Sequence, residues 1–166
     1  MISTTVDNAL IAYAKTATGL TKIVWGYQNA LKETPPYATI EVLSLVDRGG
    51  YGKQPNSSNK IILHKELEVR FNVFTADDTH IIKCSGLVDA ANNDDTRLAM
   101  QIAGVTYLAS RSNVTEVTQL EGQGIYKRRA FVDVAFGVII ERTADYEAIE
   151  KISGEVFDQE FDISKT

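Results

Sequence analysis

The chain has 166 residues, 44% of them hydrophobic and 23% charged, with 17 basic and 22 acidic side chains giving a formal charge of -5. That length and balance fit one globular domain with a real core. The negative charge argues against binding nucleic-acid phosphates over a broad surface and leaves only a local basic patch open. The single cysteine, Cys84, excludes an intramolecular disulfide, and no run approaches the roughly 18 apolar residues of a membrane span. The first residues lack the basic start and apolar run of a secretion signal, so the expected setting is a reducing cytoplasm or a particle assembled there.

Ser3-Thr4-Thr5, then Val6, Leu10, Tyr13 and Ala17, then Gly19, give cap, apolar stripe and C-terminal glycine in the order of a helix over about 4–18. Lys22 to Trp25 is a short β-prone run, and Gly26 to Pro36 reads as a loop closed by Pro35-Pro36. Tyr37 to Val46 is apolar and β-branched enough for a strand. The following Asp47 to Asn59 holds three of the eleven glycines together with Pro55 and an Asn/Ser run, which predicts a long loop. From Lys60 to Ala76 the pattern alternates, with Leu67, Val69, Phe71 and Val73 on one face and Glu66, Glu68, Arg70 and Asn72 on the other, a strand expected to run antiparallel to Tyr37–Val46.

The period then changes. Ile81, Cys84, Ser85, Val88 and Ala91 follow helical spacing behind Asp77 and Asp78, predicting a helix over about 77–92. Asn92 to Asp95 breaks it, and a short helix over Leu98 to Ile102 ends at Gly104. Val105 to Leu108 and Asn113 to Leu120 are β-prone, and 121–124 turns the chain into Tyr126 to Thr143, where apolar residues recur at every second position from Ala130 to Ile140. This is the central strand. Its second face, with Arg129, Phe131, Asp133, Ala135, Gly137, Ile139 and Glu141, is too apolar for plain solvent, so a second cover such as another subunit is expected. Beyond Thr143 the stretch Asp145 to Asp162 carries seven acids against Lys151 alone, read as a short strand near Ile149–Ile152 and an acidic, partly ordered tail. The expected fold class is α+β, a mainly antiparallel sheet with two or three helices packed on one face. The expected division is one domain over 1–153 and an acidic C-terminal tail over 154–166.

Catalytic signatures fail one by one. The loop segment Gly49 to Gln54 resembles a phosphate-binding loop, but Asp47 stands where a glycine is needed and Gln54 where a Ser or Thr is needed. His64 and His80 lack the Cys or His company of a zinc site, no nucleophile turn is present, and Asn92 to Asp95 lacks the ligand spacing of a calcium loop and reads better as a helix end followed by a new cap. Cys84 reads as a buried hydrophobe, and the triplets at Asn56 and Asn113 carry no weight without a secretion signal. No enzyme activity, cofactor or metal is expected. Lys127-Arg128-Arg129 is the one basic run: either a solvated strand start or, with Phe131, an interface facing acids such as those of the tail.

An N-terminal helix, Ile23-Val24-Trp25 followed by Gln28-Asn29, Pro35-Pro36-Tyr37 leading a strand, Glu66 to Asp78 running from strand into helix, a short helix ending at Ile102–Gly104, and the strand from Arg129 to Ile140 together resemble the tailed-phage neck or tail terminator family. The resemblance covers about residues 1–153; the Asp47–Asn59 loop and the segment after Gly154 match no landmark of it. It implies a structural virion protein that forms a homo-hexameric ring on the head-proximal end of the tail tube, stops tube polymerisation and joins the tail to the head connector. Its implied partners are copies of itself, the tail tube protein and the connector or stopper protein, with no membrane and no specific nucleic-acid binding, though DNA passes through such a ring. Implied too are a place in the neck of the virion and assembly in the host cytoplasm. Another head–tail joining protein, such as a stopper, or a minor tail protein stays open beside it, as does an α+β enzyme or ligand-binding module.

Overall fold

The computed structural model describes residues 3–26, 33–48, 60–121, 125–143, 151–156 and 159–164. In chain order these form α1 (Thr4–Thr18), β1 (Ile23–Trp25), β2 (Tyr37–Asp47), β3 (Lys60–Thr75), α2 (His80–Ala91), α3 (Asp94–Ile102), β4 (Val105–Ser110), β5 (Thr115–Glu121), β6 (Ile125–Thr143), β7 (Lys151–Val156) and β8 (Gln159–Ser164). The chain is α+β, and its sheet is mostly antiparallel.

The long strand predicted at the centre occupies it. One edge of β6 pairs with β3 along its length, from Lys60 opposite Thr143 to Thr75 opposite Arg128. Its other edge is shared, Ile125 to Phe131 pairing with β5 and Val134 to Val138 with β4. β2 lies antiparallel on β3, and β1 adds a parallel end at Ala38 to Ile40. The order is therefore β1-β2-β3-β6-β4, with β5 beside β4 on the same flank.

Alternation decides the core. Leu67, Val69, Phe71 and Val73 of β3 and Ala130, Val132, Val134 and Phe136 of β6 are all fully buried on one face, packed with Val6, Leu10 and Tyr13 of α1 and Cys84 and Leu87 of α2. Each large side chain taken from water here contributes about 1.5–3 kcal/mol. The Tyr13 ring lies 5.8 Å from that of Phe71 and 5.7 Å from that of Phe136, and its hydroxyl donates to the Leu87 carbonyl, which burial requires of a polar tip. Burial pushes the Tyr13 hydroxyl well above its ordinary range, with Tyr107 adding to the rise, so it stays a donor.

α1 starts and stops as expected: the Ser3 hydroxyl accepts from the Val6 N–H, and Gly19 ends the helix at φ 67° with its N–H on the Lys15 carbonyl. α1 and α2 cross closely because Gly86 has no side chain; a Cβ there would stand 2.4 Å from the Ala17 carbonyl oxygen.

Several boundaries differ from expectation, each for a local reason. α2 begins at His80, not 77, because Asp77 is committed to a turn: its carboxylate accepts from both the Thr79 N–H, at 3.1 Å, and the Thr79 hydroxyl, at 2.6 Å, while its carbonyl accepts from Thr75. The buried stripe of α2 is accordingly His80, Cys84, Leu87 and Ala91, and Ile81 points outward. α3 begins at Asp94, not Leu98, since the Asn93 side chain accepts from the Thr96 N–H at 3.1 Å and starts a new helix where a break was expected. In the acidic stretch β7 and β8 pair antiparallel as a two-stranded sheet, Lys151 opposite Ser164, in place of one short strand near Ile149–Ile152 and a tail. The expected Asp47–Asn59 loop lies, from residue 49, outside the described residues.

Candidate functional site

The face of the sheet turned away from the helices carries the densest polar chemistry of the described residues. Along β3 it presents Glu66, Glu68, Arg70, Asn72 and Phe74, and along β6 it presents Arg129, Phe131, Asp133, Ala135 and Gly137, because these are the positions registered opposite one another and out of phase with the core.

Register sets Arg70 opposite Asp133. The guanidinium makes a bidentate pair with the carboxylate, Nε to Oδ1 at 2.7 Å and Nη2 to Oδ2 at 2.8 Å, the geometry in which a charge-assisted pair is strongest. Its central carbon also lies 4.4 Å above the centre of the Phe131 ring. Hydrogen bonding to Asp133 raises the Arg70 pKa further, so the guanidinium keeps its charge. The backbone of Asp133 is fixed as well: its carbonyl accepts from the Arg111 N–H at 2.7 Å, and its N–H donates to the Ser112 hydroxyl at 2.9 Å. The β4–β5 connection thus anchors the residue that anchors Arg70.

Asn72, fully buried, is the next node. Its amide donates to Thr39 Oγ1 at 2.9 Å and Glu41 Oε1 at 3.0 Å, and its oxygen accepts from Arg129 Nε at 3.0 Å. Arg129 also lies 5.8 Å from the ring centres of Phe74 and Phe131, and Phe74 stacks on Tyr37 at 4.6 Å. At the far end of the face Glu66 holds two arginines, Arg48 at 2.8 Å and Arg111. Those two hydrogen bonds hold its carboxyl below the usual carboxylate range.

Of the residues singled out from the basic run, Arg129 and Phe131 are therefore built into this network, and Arg128 pairs with the exposed Asp78 in the turn between β3 and α2. The side chain of Lys127 lies outside the described residues. The expectation that the second face of β6 needs another subunit to cover it is revised in part: Ala135 and Asn72 are already sealed among this chain's own side chains on that face, where Arg70 lies over Phe131. Sequence reading missed Arg70, Asn72 and Asp133. The signal was there in the alternation, since pairing 67–73 against 130–136 in antiparallel register sets Arg70 against Asp133.

The other candidates are placed as follows. His80 is buried, with Nε2 2.9 Å from Glu116 Oε1 and Nδ1 3.3 Å from the Asp77 carbonyl, a link between α2 and β5. His64 is exposed on the open face. Cys84 is a buried free thiol, pushed up to about 12 by burial and so without thiolate character at neutral pH. Asn113 is exposed, while Asn56 and the segment Gly49 to Gln54 lie outside the described residues. Among the described residues no three His, Cys, Asp or Glu side chains gather into a metal-binding group, and no helix is long and apolar enough to cross a membrane.

A family model described as phage neck terminator protein matches residues 5–160, from the first turn of α1 into β8. The comparison with curated proteins gives no match.

Proposed function

The chain belongs to the phage neck terminator family, whose members are structural proteins of the phage neck and tail, and from that premise we propose that it closes the tail tube. In this reading the protein forms a homo-hexameric ring on the head-proximal end of the tube, stops tube polymerisation, and presents its other side to the head connector or stopper protein. It acts by binding and not by catalysis, takes no cofactor, and assembles in the host cytoplasm.

The observation that carries the reading is a family match spanning nearly the whole chain. The open face supports it. A surface of fixed arginine–carboxylate pairs and stacked rings, near neutral overall, suits docking against protein: its side chains are ordered before contact, which lowers the entropy lost on binding. Arg129 and Phe131 of that face, together with Lys127 and Arg128 of the adjoining basic run, are assigned to the contact with the tube or a neighbouring subunit.

Electron microscopy of the purified protein, and of tails assembled with and without it, tests the proposal. Six-membered rings and tails of uniform length are the expected result. Tails of unchanged length in its absence, with particles that still join head to tail, would overturn it.

A further inference from the structure

The polar cover of the open face stops short of one end of the sheet. Past Glu66, register places His64 and Ile62 of β3 on that face, opposite Ile139 and Glu141 of β6, and sets Val46 of β2 opposite Glu66. Ile62 is 44% exposed, Ile139 47% and Val46 56%. Ile139 is flanked by two residues without side chains. Its N–H donates to the Gly104 carbonyl at 3.1 Å, a Cβ on Gly104 would stand 3.8 Å from its own, and Gly137 precedes it on the same face. Charge beside this patch is close to balanced, with Arg48 and Arg111 on Glu66, Glu68 beside Ser44, and Lys65 on Asp47, so charge selects no occupant.

The strands that follow β6 form a sheet of their own, and their register sorts the residues by polarity. Ile152, Val156, Phe161 and Ile163 share one face with Gly154 and Gln159, while all the charges of the two strands, Lys151, Glu155, Glu160 and Asp162, fall on the other. A hairpin of two strands is marginal by itself in water, so this apolar face needs a cover. Among the described elements the substantial packing of β7 and β8 is with each other, not with the body of their own subunit. The link from Thr143 to Lys151 reaches at most about 29 Å. It starts at the end of the sheet where the patch lies, since Thr143 stands opposite Lys60.

We infer that the β7–β8 hairpin of one copy of this chain lies with its apolar face on the patch of Val46, Ile62 and Ile139 of the next copy. Sheets pack face to face through such alternating surfaces, and each of these two then takes the other out of water. Hairpin and patch are different surfaces, so the contact is heterologous, repeats head to tail and closes when the rotation allows. The inference rests on the ring reading and names the contact that joins neighbours within the ring. The end of the open face with Arg129 and Phe131 stays free for the tube.

The test uses the full chain in two double variants, Ile62→Thr with Ile139→Thr on the patch, and Phe161→Thr with Ile163→Thr on the hairpin. Threonine keeps the strand propensity at each position, so both variants are expected to keep the wild-type circular dichroism and melting, yet to lose rings both alone and on tail tubes. Cross-linking then reports which copies touch, Cys84 being buried. Ile62→Cys and Phe161→Cys chains, co-expressed and treated with a short bis-maleimide, are expected to stop at dimers, and the two cysteines in one chain to give a ladder up to the full ring. If the wild-type protein makes rings and either threonine variant makes them as well, or if the chain with both cysteines cross-links only within itself, the exchange is wrong and the ring stands. If the wild type makes no ring with or without tubes, the ring reading falls and the exchange with it.

Discussion

The two faces of the β3–β6 pair have the same backbone and the same strand register, yet they are sealed by different means. The helix-covered face excludes water with Phe71, Val132, Val134 and Phe136 against α1 and α2. On the open face, where Asn72 and Ala135 are as deeply buried, the paired charges lie within the seal, and the guanidinium of Arg70 covers the Phe131 ring. The first kind of seal is strong, non-directional and not weakened by ionic screening. The second is weaker per contact but geometrically exact in its demands, because a bidentate pair fails when one partner moves. A subunit that must hold its fold and offer a fixed surface to other proteins has a use for both.

The sharpest way to break this contrast is to put a charge on each face. Val134→Asp or Phe136→Asp would bury an unpaired carboxylate among apolar side chains, at a cost of several kcal/mol, comparable with the whole stability of a domain this size. Neither variant is expected to accumulate as soluble folded protein. A soluble variant with native circular dichroism and an unchanged melting curve would mean that this face is not the core.

A smaller effect is expected from the open face. Asp133→Ala leaves Arg70 half-buried with its main partner gone and is expected to remove about 1–3 kcal/mol, which lowers the melting temperature by roughly 2–4 °C per kcal/mol for a chain of this length. Arg70→Met keeps an unbranched apolar side chain and removes both the charge and the guanidinium over Phe131. In a double-mutant cycle the two changes should couple by about 0.5–3 kcal/mol. Additive losses would show that the pair is decoration on a face held by something else.

What the sequence made legible follows the same division. Period-two alternation located β3 and β6, their shared core face and their antiparallel partner β2, because a one-residue slip would expose every apolar side chain. The start of α2 is not legible, because Asp77 and Asp78 look like the first turn of a helix, whereas the Asp77 carboxylate accepts from Thr79. The start of α3 is equally ambiguous, because Asn93 can end one helix or cap the next, and only the Thr96 N–H decides. The sequence alone does not show the part of the open face's cover that comes from residues distant in sequence. Arg70 and Asp133 are 63 positions apart, and no local pattern joins them.

The smallest effect expected lies at the rim of the open face, where Glu66 is shared by Arg48 and Arg111. Hydrogen bonds from Arg48, and then from Arg111, hold its carboxyl below the ordinary glutamate value of 4.5. A folded-state value below the unfolded one means that the unfolded chain binds the proton first as pH falls. The contribution of Glu66 is therefore complete above about pH 4.5 and is lost as pH drops through the lower folded value. Glu66→Gln keeps the shape and removes the charge. Its melting temperature should sit slightly below wild type at pH 7, and the gap should close on acidification below pH 4.5. Because the site borders water, the same gap should narrow in 1 M sodium chloride, where screening acts over about 3 Å, whereas a conservative core change such as Val132→Ala should show no such narrowing. A Glu66→Gln deficit that persists in acid and ignores salt would place the residue in the packing of the sheet, and the two faces would then be sealed by the same kind of force.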